Sequence, residues 1–496
     1  MNTIYSQWQR LGMVYPKSVV VLDETRYFLI RTRQGDKKLG VQGDEAEFEG
    51  DMSDTLRLCP LTAHNAAVIR ERIPWLRPQP LGLKTSAGTG DRLGLATPGH
   101  IRAFRAVGGI APILAQQSMR ENARTGRSPQ QVMDDAMWGV LQEGWRRPWG
   151  SDADHLKTPD HVDLCVAAGY TFYTIDPGDH VDNAAHTDPL EVLRSKYEQL
   201  PWERLEETPE GMRSRYLGQT HQIGGLTLTY EETSLLRAAV KYGRAIAHTT
   251  KMARHLKRAK GDAPFDLEVS VDETETPTTP VEHLFIASEL KRLGVRWVSL
   301  APRYVGRFEK GVDYIGDLET FEASFVQHAA IARAVGPYKL SIHSGSDKFS
   351  IYPMMAEHTH GLSHLKTAGT SYLEALRAVA QVAPDLFREA LALAIERYPE
   401  DRATYHVSAE VDKVPAPETL SDAELERVLD TFDGREVLHV TFGSVLDHMG
   451  DRLKTVLDER EDAHYAALRT HFIKHLTPFK PSDEEDPGRP VFKVGY

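Results

Sequence analysis

Asp154 and His155 stand side by side in the run GSDADHLKTPDHVDLCVAAGYTFYTIDPGDH (150–180). An imidazole can hold a divalent cation while the adjacent carboxylate moves a proton on and off a sugar hydroxyl. That pairing suits metal-assisted chemistry at a carbon–carbon bond. A lone Asp-His dipeptide is common, so its weight depends on what other segments bring beside it. In SIHSGSDKFS (341–350), His343 closes an apolar strand and Ser344-Gly345-Ser346 form a small loop whose backbone N–H groups would suit an anion or polyol oxygens, with Lys348 close by. The bland alternative is an ordinary strand-to-helix turn with a packed histidine.

A third segment, EVSVDETETPTTP (268–280), alternates with period two, placing Glu268, Ser270 and Asp272 on one face and Val269 and Val271 on the other. A carboxylate facing a protein interior is costly unless it meets a cation or hydrogen-bond donors. Glu268 and Asp272 would lie roughly 13 Å apart on an extended strand, too far to grip one ion together. One of them is therefore read as catalytic or ligating, with Glu268 favoured, and the other as structural; Asp272 is also carried as a candidate substrate contact. The run APRYVGRFEKGVDYIGD (301–317) supplies Arg303, Arg307 and Glu309, and HLKTAGTSYLEAL (364–376) supplies Lys366 before a Gly-Thr-Ser helix start that could bind an anion. A surface salt-bridge loop is the competing reading of 301–317. With 21 histidines in the chain, His358, His360, His406 and His439 are read as surface or core residues. GTGDRLG (88–94) lacks the G-x-G-x-x-G spacing, and neither a Walker A sequence nor a C-x-x-C pair occurs.

The elements that must position these groups follow from alternation. Eight short apolar segments read as strands: 82–88, 109–117, 146–154, 170–176, 264–272, 295–302, 338–345 and 362–369. Amphipathic helical stretches separate most of them, TPVEHLFIASELKRLG (279–294) and TFEASFVQHAAIARAVG (320–336) most clearly. Eight such units predict an α/β fold, a (β/α)₈ TIM barrel with reactive groups at the C-terminal strand ends; an open doubly wound sheet is the alternative. Three parts are expected: a β-rich extension over 1–78 with strands in 17–45, the barrel over 79–375 with an insertion at about 177–263, and a helical extension over 376–496. The insertion should end in a helix over about 230–258, with Thr229 and Glu232 as its capping box. The acidic stretch SDEEDPGRP (482–490) reads as a solvated terminus.

The formal charge of −12 argues against a nucleic-acid binder. Two cysteines are too few for a disulfide framework, and no apolar run reaches the length of a membrane span or a signal peptide. These features predict a cytoplasmic protein whose partner is a small molecule, not a nucleic acid or a membrane, with a homo-oligomer left open.

DADHLKTPDHVDLCVAAGYTFYTID resembles the class II aldolase pattern, in which an Asp-His pair precedes a helix, an Ala-Gly and a strand ending in Ile-Asp. From about residue 80 onward, the runs APRYVGRFEKG, SIHSGSDKFS and HLKTAGTSYLEAL are similar to the tagaturonate epimerase family. Those enzymes interconvert tagaturonate and fructuronate, with relatives acting on tagatose and fructose. The resemblance implies a divalent metal cation (Zn, Mn, Ni and Co are not distinguished), with His155 and His343 as ligands and Asp154 and Glu268 in proton transfer. Glu309 is taken as the third ligand, although aldolases place a histidine in that region. Arg303, Lys348 or Lys366 would neutralise a substrate carboxylate, and Ser344 and Asp272 would contact the sugar.

The hydrogen on C4 of a 2-ketose is not acidic, because C4 lies β to the carbonyl. Inversion there needs transient oxidation or retro-aldol cleavage of C3–C4 and re-addition to the other face. The missing dinucleotide fingerprint favours cleavage. The expected activity is thus a metal-dependent C4 epimerase of a 2-keto hexuronate or ketohexose. The alternatives are a class II aldolase releasing two fragments and a non-catalytic sugar-binding barrel.

Overall fold

The computed structural model describes residues 8–53 and 55–481. The acidic stretch 482–490 lies outside the described residues. Eight parallel strands close into a barrel: β1 (Ser86–Gly88), β2 (Ala111–Ser118), β3 (Gly150–Leu156), β4 (Phe172–Ile175), β5 (Asp266–Ser270), β6 (Ser299–Ala301), β7 (Lys339–Ile342) and β8 (Ser363–Lys366). Six of the eight fall within the segments picked out by alternation, while β2 runs one residue past its segment and β3 two past its own; β8 pairs with β1 to close the ring (His364 opposite Ser86). The strands are short because only the stretch between each helix and its active-end loop needs pairing.

Helices outside the ring bury their apolar faces on it; Phe321, Phe325, Ile331 and Leu340, for example, belong to one continuous core. Pro280–Arg292 starts with a full capping box, Thr279 accepting from Glu282 N–H and Glu282 returning the bond to Thr279. The helix expected in the insertion is Glu232–Lys260, and its predicted capping box does not form. Thr229 instead ends the second strand of a small hairpin (Thr220–Ile223 with Leu226–Thr229), so it cannot cap the helix.

Before the barrel lies a six-stranded antiparallel sheet built on Thr25–Thr32 and Lys37–Gln42, with the additional strands Gly12–Val14, Val20–Leu22, Asp51–Ser53 and Leu56–Cys59. After β8, helices Thr370–Val382, Pro384–Asp401, Phe432–Val440 and Phe442–Glu459 share a second apolar core. The last long helix, Glu461–Leu476, rejoins the barrel core through Tyr465, Leu468 and Phe472. It lies so close to helix Thr97–Val107 that a Cβ on Gly99 would sit 2.7 Å from the Leu468 side chain. The two extensions also meet each other: Arg31 donates two hydrogen bonds to Asp458, at 2.7 and 2.8 Å, and one to Glu461. Both cysteines are buried and unpaired, and no described helix is long and apolar enough to cross a membrane.

Leu468→Ala should therefore destabilise the fold by about 2–5 kcal/mol, the usual cost of emptying a fully buried leucine site. Denaturant unfolding of wild type and variant measures it.

Candidate active site

Strict alternation along β3 would send Asp152 and Asp154 into the barrel and His155 out of it. The chain avoids this with a bulge. Opposite β4, Ala153 pairs with Tyr173 but Leu156 pairs with Ile175, so the register slips between them. His155 takes up the slack in a left-handed conformation, φ +51°. As a result both Asp154 and His155 line one cavity at the C-terminal strand ends, together with His343 from the end of β7.

The two imidazoles are held in matching ways. Asp176, just beyond β4, accepts from His155 Nδ1 at 3.1 Å and is itself fixed by the Gly178 N–H. Glu268 on β5 accepts from His343 Nε2 at 2.5 Å. With those nitrogens protonated, the ring atoms left facing each other are His155 Nε2 and His343 Nδ1, 3.4 Å apart. In neutral rings these two atoms carry lone pairs directed at one another, so a cation between them would satisfy both, displacing the second proton that His155 otherwise holds. Asp154 Oδ1 lies 3.8 Å from His155 Nε2, and Asp272 Oδ1 lies 3.5 Å from His343 Nδ1. Asp154, His155 and His343 each offer a ligand atom within 4.8 Å of the others, and His155, Asp176 and Glu273 form a second such group.

Beneath the imidazoles the bore is ionic. Lys366 Nζ, from β8, lies 2.9 Å from Asp152, 2.7 Å from Asp154 and 2.8 Å from Glu268, and donates to Thr174 Oγ1 at 2.6 Å. Gln116 completes the ring by donating to Asp154 Oδ2 at 2.9 Å. Burial alone would push these carboxyls up, but Lys366 and the neighbouring imidazoles hold Asp154 and Glu268 below the usual carboxylate range. Asp152 behaves oppositely: burial dominates, and with Asp154 and Glu268 alongside it is pushed up to about 7. Burial disfavours the charged imidazole of His155, yet Asp154, Asp176 and Glu273 outweigh it and push the ring up to about 10. Lys366 thus faces two carboxylates held ionised, Asp154 and Glu268, and a third, Asp152, that is readily protonated.

Several expected site residues stand elsewhere. Glu268 is fully buried under His343, and its oxygens are taken by His343, Lys366, Thr174 and Ser299. It therefore orients His343 and does not face the cavity. Glu309 is not brought to the imidazoles: its carboxylate accepts from the Ser408 N–H and hydroxyl at 2.8 and 2.7 Å, binding the loop after β6 to the C-terminal extension. Lys348 points away from the cavity and donates to the carbonyls of Glu309, Val312 and Ser346. Nor is the Ser344–Ser346 loop an open nest, because the Gly345 N–H is bonded to the Lys366 carbonyl. Asp347, next in that loop, accepts from His471 Nε2 at 2.5 Å and pairs with Arg435 at 3.0 Å, while its N–H donates to His475 Nε2 at 2.9 Å. Arg303 and Asp272 line an adjoining, wider cleft, which shares His343, Ser344 and Lys310 with the first cavity.

The sequence reading did not single out Asp152, Thr174 or Lys310. The D-x-D spacing of Asp152 and Asp154 was the available signal, since period two puts both inside the barrel. Lys310 had no comparable signal.

An eight-stranded barrel with imidazoles and carboxylates gathered at its C-terminal strand ends marks the (β/α)₈-barrel enzymes as the class of this chain. The chain belongs to the tagaturonate epimerase family, which it matches over residues 15–479. It is 43% identical over 472 residues to a tagaturonate/fructuronate epimerase of Thermotoga maritima, covering 93% of this chain and 96% of that protein. Among solved structures, it is similar to a glycerol complex of the fructuronate-tagaturonate epimerase of Cohnella laeviribosi. That match has a TM-score of 0.90 and 38% identity, and covers 97% of this chain and 99% of the other. The native form of the same Cohnella enzyme matches equally well, again with a TM-score of 0.90.

Asp176→Asn keeps the shape of the side chain that fixes His155 but removes its charge. Its thermal midpoint should stay near that of the wild type, while affinity for zinc, read by competition with a chromophoric chelator, should fall about 10–100-fold.

Proposed function

We propose that this protein is a divalent-metal-dependent tagaturonate/fructuronate epimerase that inverts C4 by retro-aldol cleavage and re-addition, working as a soluble cytoplasmic enzyme. The observation that carries the metal is the facing of His155 Nε2 and His343 Nδ1, 3.4 Å apart, each ring locked from behind by a carboxylate. The substrate is drawn from the Thermotoga relative, whose name states that interconversion. His155 and His343 would hold the cation, with Asp272 as third ligand in place of Glu309. Asp154 is then left for proton transfer. When bound, the metal supplies Lewis-acid stabilisation of the oxygens that become negative during cleavage.

Asp154 takes the proton of the C4 hydroxyl. It is suited to this because Lys366 keeps it ionised and Gln116 fixes its orientation. The C3–C4 bond breaks, its electron pair staying on the ketone-bearing half as an enediolate, and C4 becomes an aldehyde. The aldehyde half turns its other face, the bond re-forms, and the C4 oxygen regains a proton. Glu268 cannot return that proton from under His343. Glu273 has none to give either, since His155, Lys310 and its ion pair with Arg120 at 3.0 Å hold it below the usual carboxylate range, so the proton that returns is the one Asp154 took.

Replacing His155 or His343 by Ala should abolish bound metal and turnover together, and a metal-free preparation with full activity would contradict the reading. Asp154→Asn should keep its metal and lose turnover by about 100-fold or more, the usual scale of an acid–base residue. Asp272→Asn should instead lose metal. Elemental analysis alongside an epimerisation assay separates the two.

A further inference from the structure

A ketouronate brings a carboxylate into this cavity, and none of the cations first considered for it is free. Lys348 is spent on three carbonyls, and Lys366 on three carboxylates. Arg303 lines only the wider cleft and donates to the Tyr304 carbonyl. Of the other cations on the cavity wall, Arg92 is paired with Glu121 at 2.9 Å and stacked on Phe442, and Arg120 is paired with Glu273. Lys310 differs. It is half-buried, it stands where the cavity and the cleft join, and its Nζ donates to Ser344 Oγ at 2.9 Å. Among the described residues no carboxylate forms an ion pair with it, although a partly desolvated ammonium favours an anionic neighbour.

We propose that Lys310, steadied by Ser344, is the group that receives the substrate carboxylate and holds the carboxylate-bearing half in place while the C3–C4 bond is open. The proposal rests on the functional reading above. When C3–C4 breaks, the carboxylate travels with the aldehyde half, and the electron pair remains on the other. Inversion requires the aldehyde carbon to present its second face without the fragment leaving. Tethering the far end at Lys310 leaves the aldehyde carbon free to swing. Ser344 directly follows the metal-binding His343, so the tether and the cation are set by one loop. Lys310 is thus a specificity and retention residue. A neutral ketose, lacking the carboxylate, would gain nothing from it.

The test compares wild type, Lys310→Met and Lys310→Arg on tagaturonate and tagatose, with metal content and free three-carbon products measured in each. For Lys310→Met, kcat/KM on tagaturonate should fall roughly 10–100-fold, the scale of a charge-assisted hydrogen bond, with KM raised and metal content unchanged. The three-carbon aldehyde acid should appear in solution, Lys310→Arg should recover most of the activity, and tagatose should be handled as by the wild type. Lys310→Met within two-fold of wild type on tagaturonate overturns the proposal, as does an equal loss on both substrates or loss of metal. A KM rise with no released fragment overturns the retention role. Failure of the wild type itself to interconvert tagaturonate and fructuronate would defeat the functional reading instead.

Discussion

The contact on which the site depends is the ion cluster around Lys366 in the barrel bore. Bulky branched side chains ordinarily fill the interior of such a barrel. Here its upper layer is Asp152, Asp154, Thr174, Glu268 and Lys366, drawn from β3, β4, β5 and β8 and all within hydrogen-bonding or ion-pairing reach of one ammonium. Such a cluster is directional where an apolar layer is not. Each carboxylate is aimed, and two of the aimed groups act upward: Glu268 sets the tautomer of His343, and Asp154 faces the cavity. The desolvation of these charges is severe, and only mutual compensation makes it tolerable. Specificity of geometry, more than stability, is what the arrangement provides.

The barrel itself was legible from sequence because short strands buried on both faces leave a clear pattern of apolar runs between amphipathic helices. Each of the eight segments overlaps its strand, and only β2 and β3 run past their segment's end. The site was legible only in part. Asp154, His155 and His343 could be found because they sit at strand ends, where side-chain direction follows from periodicity. Glu309 and Lys348 could not be placed that way. They lie in loops after β6 and β7, and their orientation is decided by Ser408 and by backbone carbonyls of distant segments. Charge type at a loop position says little when the partner comes from another part of the chain.

Asp154-His155 shows the same limit from the other side. Adjacent residues on a regular strand point in opposite directions, so a dipeptide motif ought not to serve one cavity. It does so because the β3 bulge adds a residue against β4 and puts His155 in the left-handed region. The motif therefore encodes a backbone irregularity as well as two functional groups. Its local strain is held by the Asp176 contact and by the pairing that resumes at Leu156.

Asp347 is tied to His471 and His475 on helix Glu461–Leu476 and to Arg435 on helix Phe432–Val440. The two histidines stand 124 and 128 residues further along the chain, so the loop that carries His343 and Ser344 is fastened by helices outside the ring of strands. The barrel alone does not set where His343 stands. A change that loosens those helices would reach the cavity as a displaced imidazole, with every reacting side chain still present.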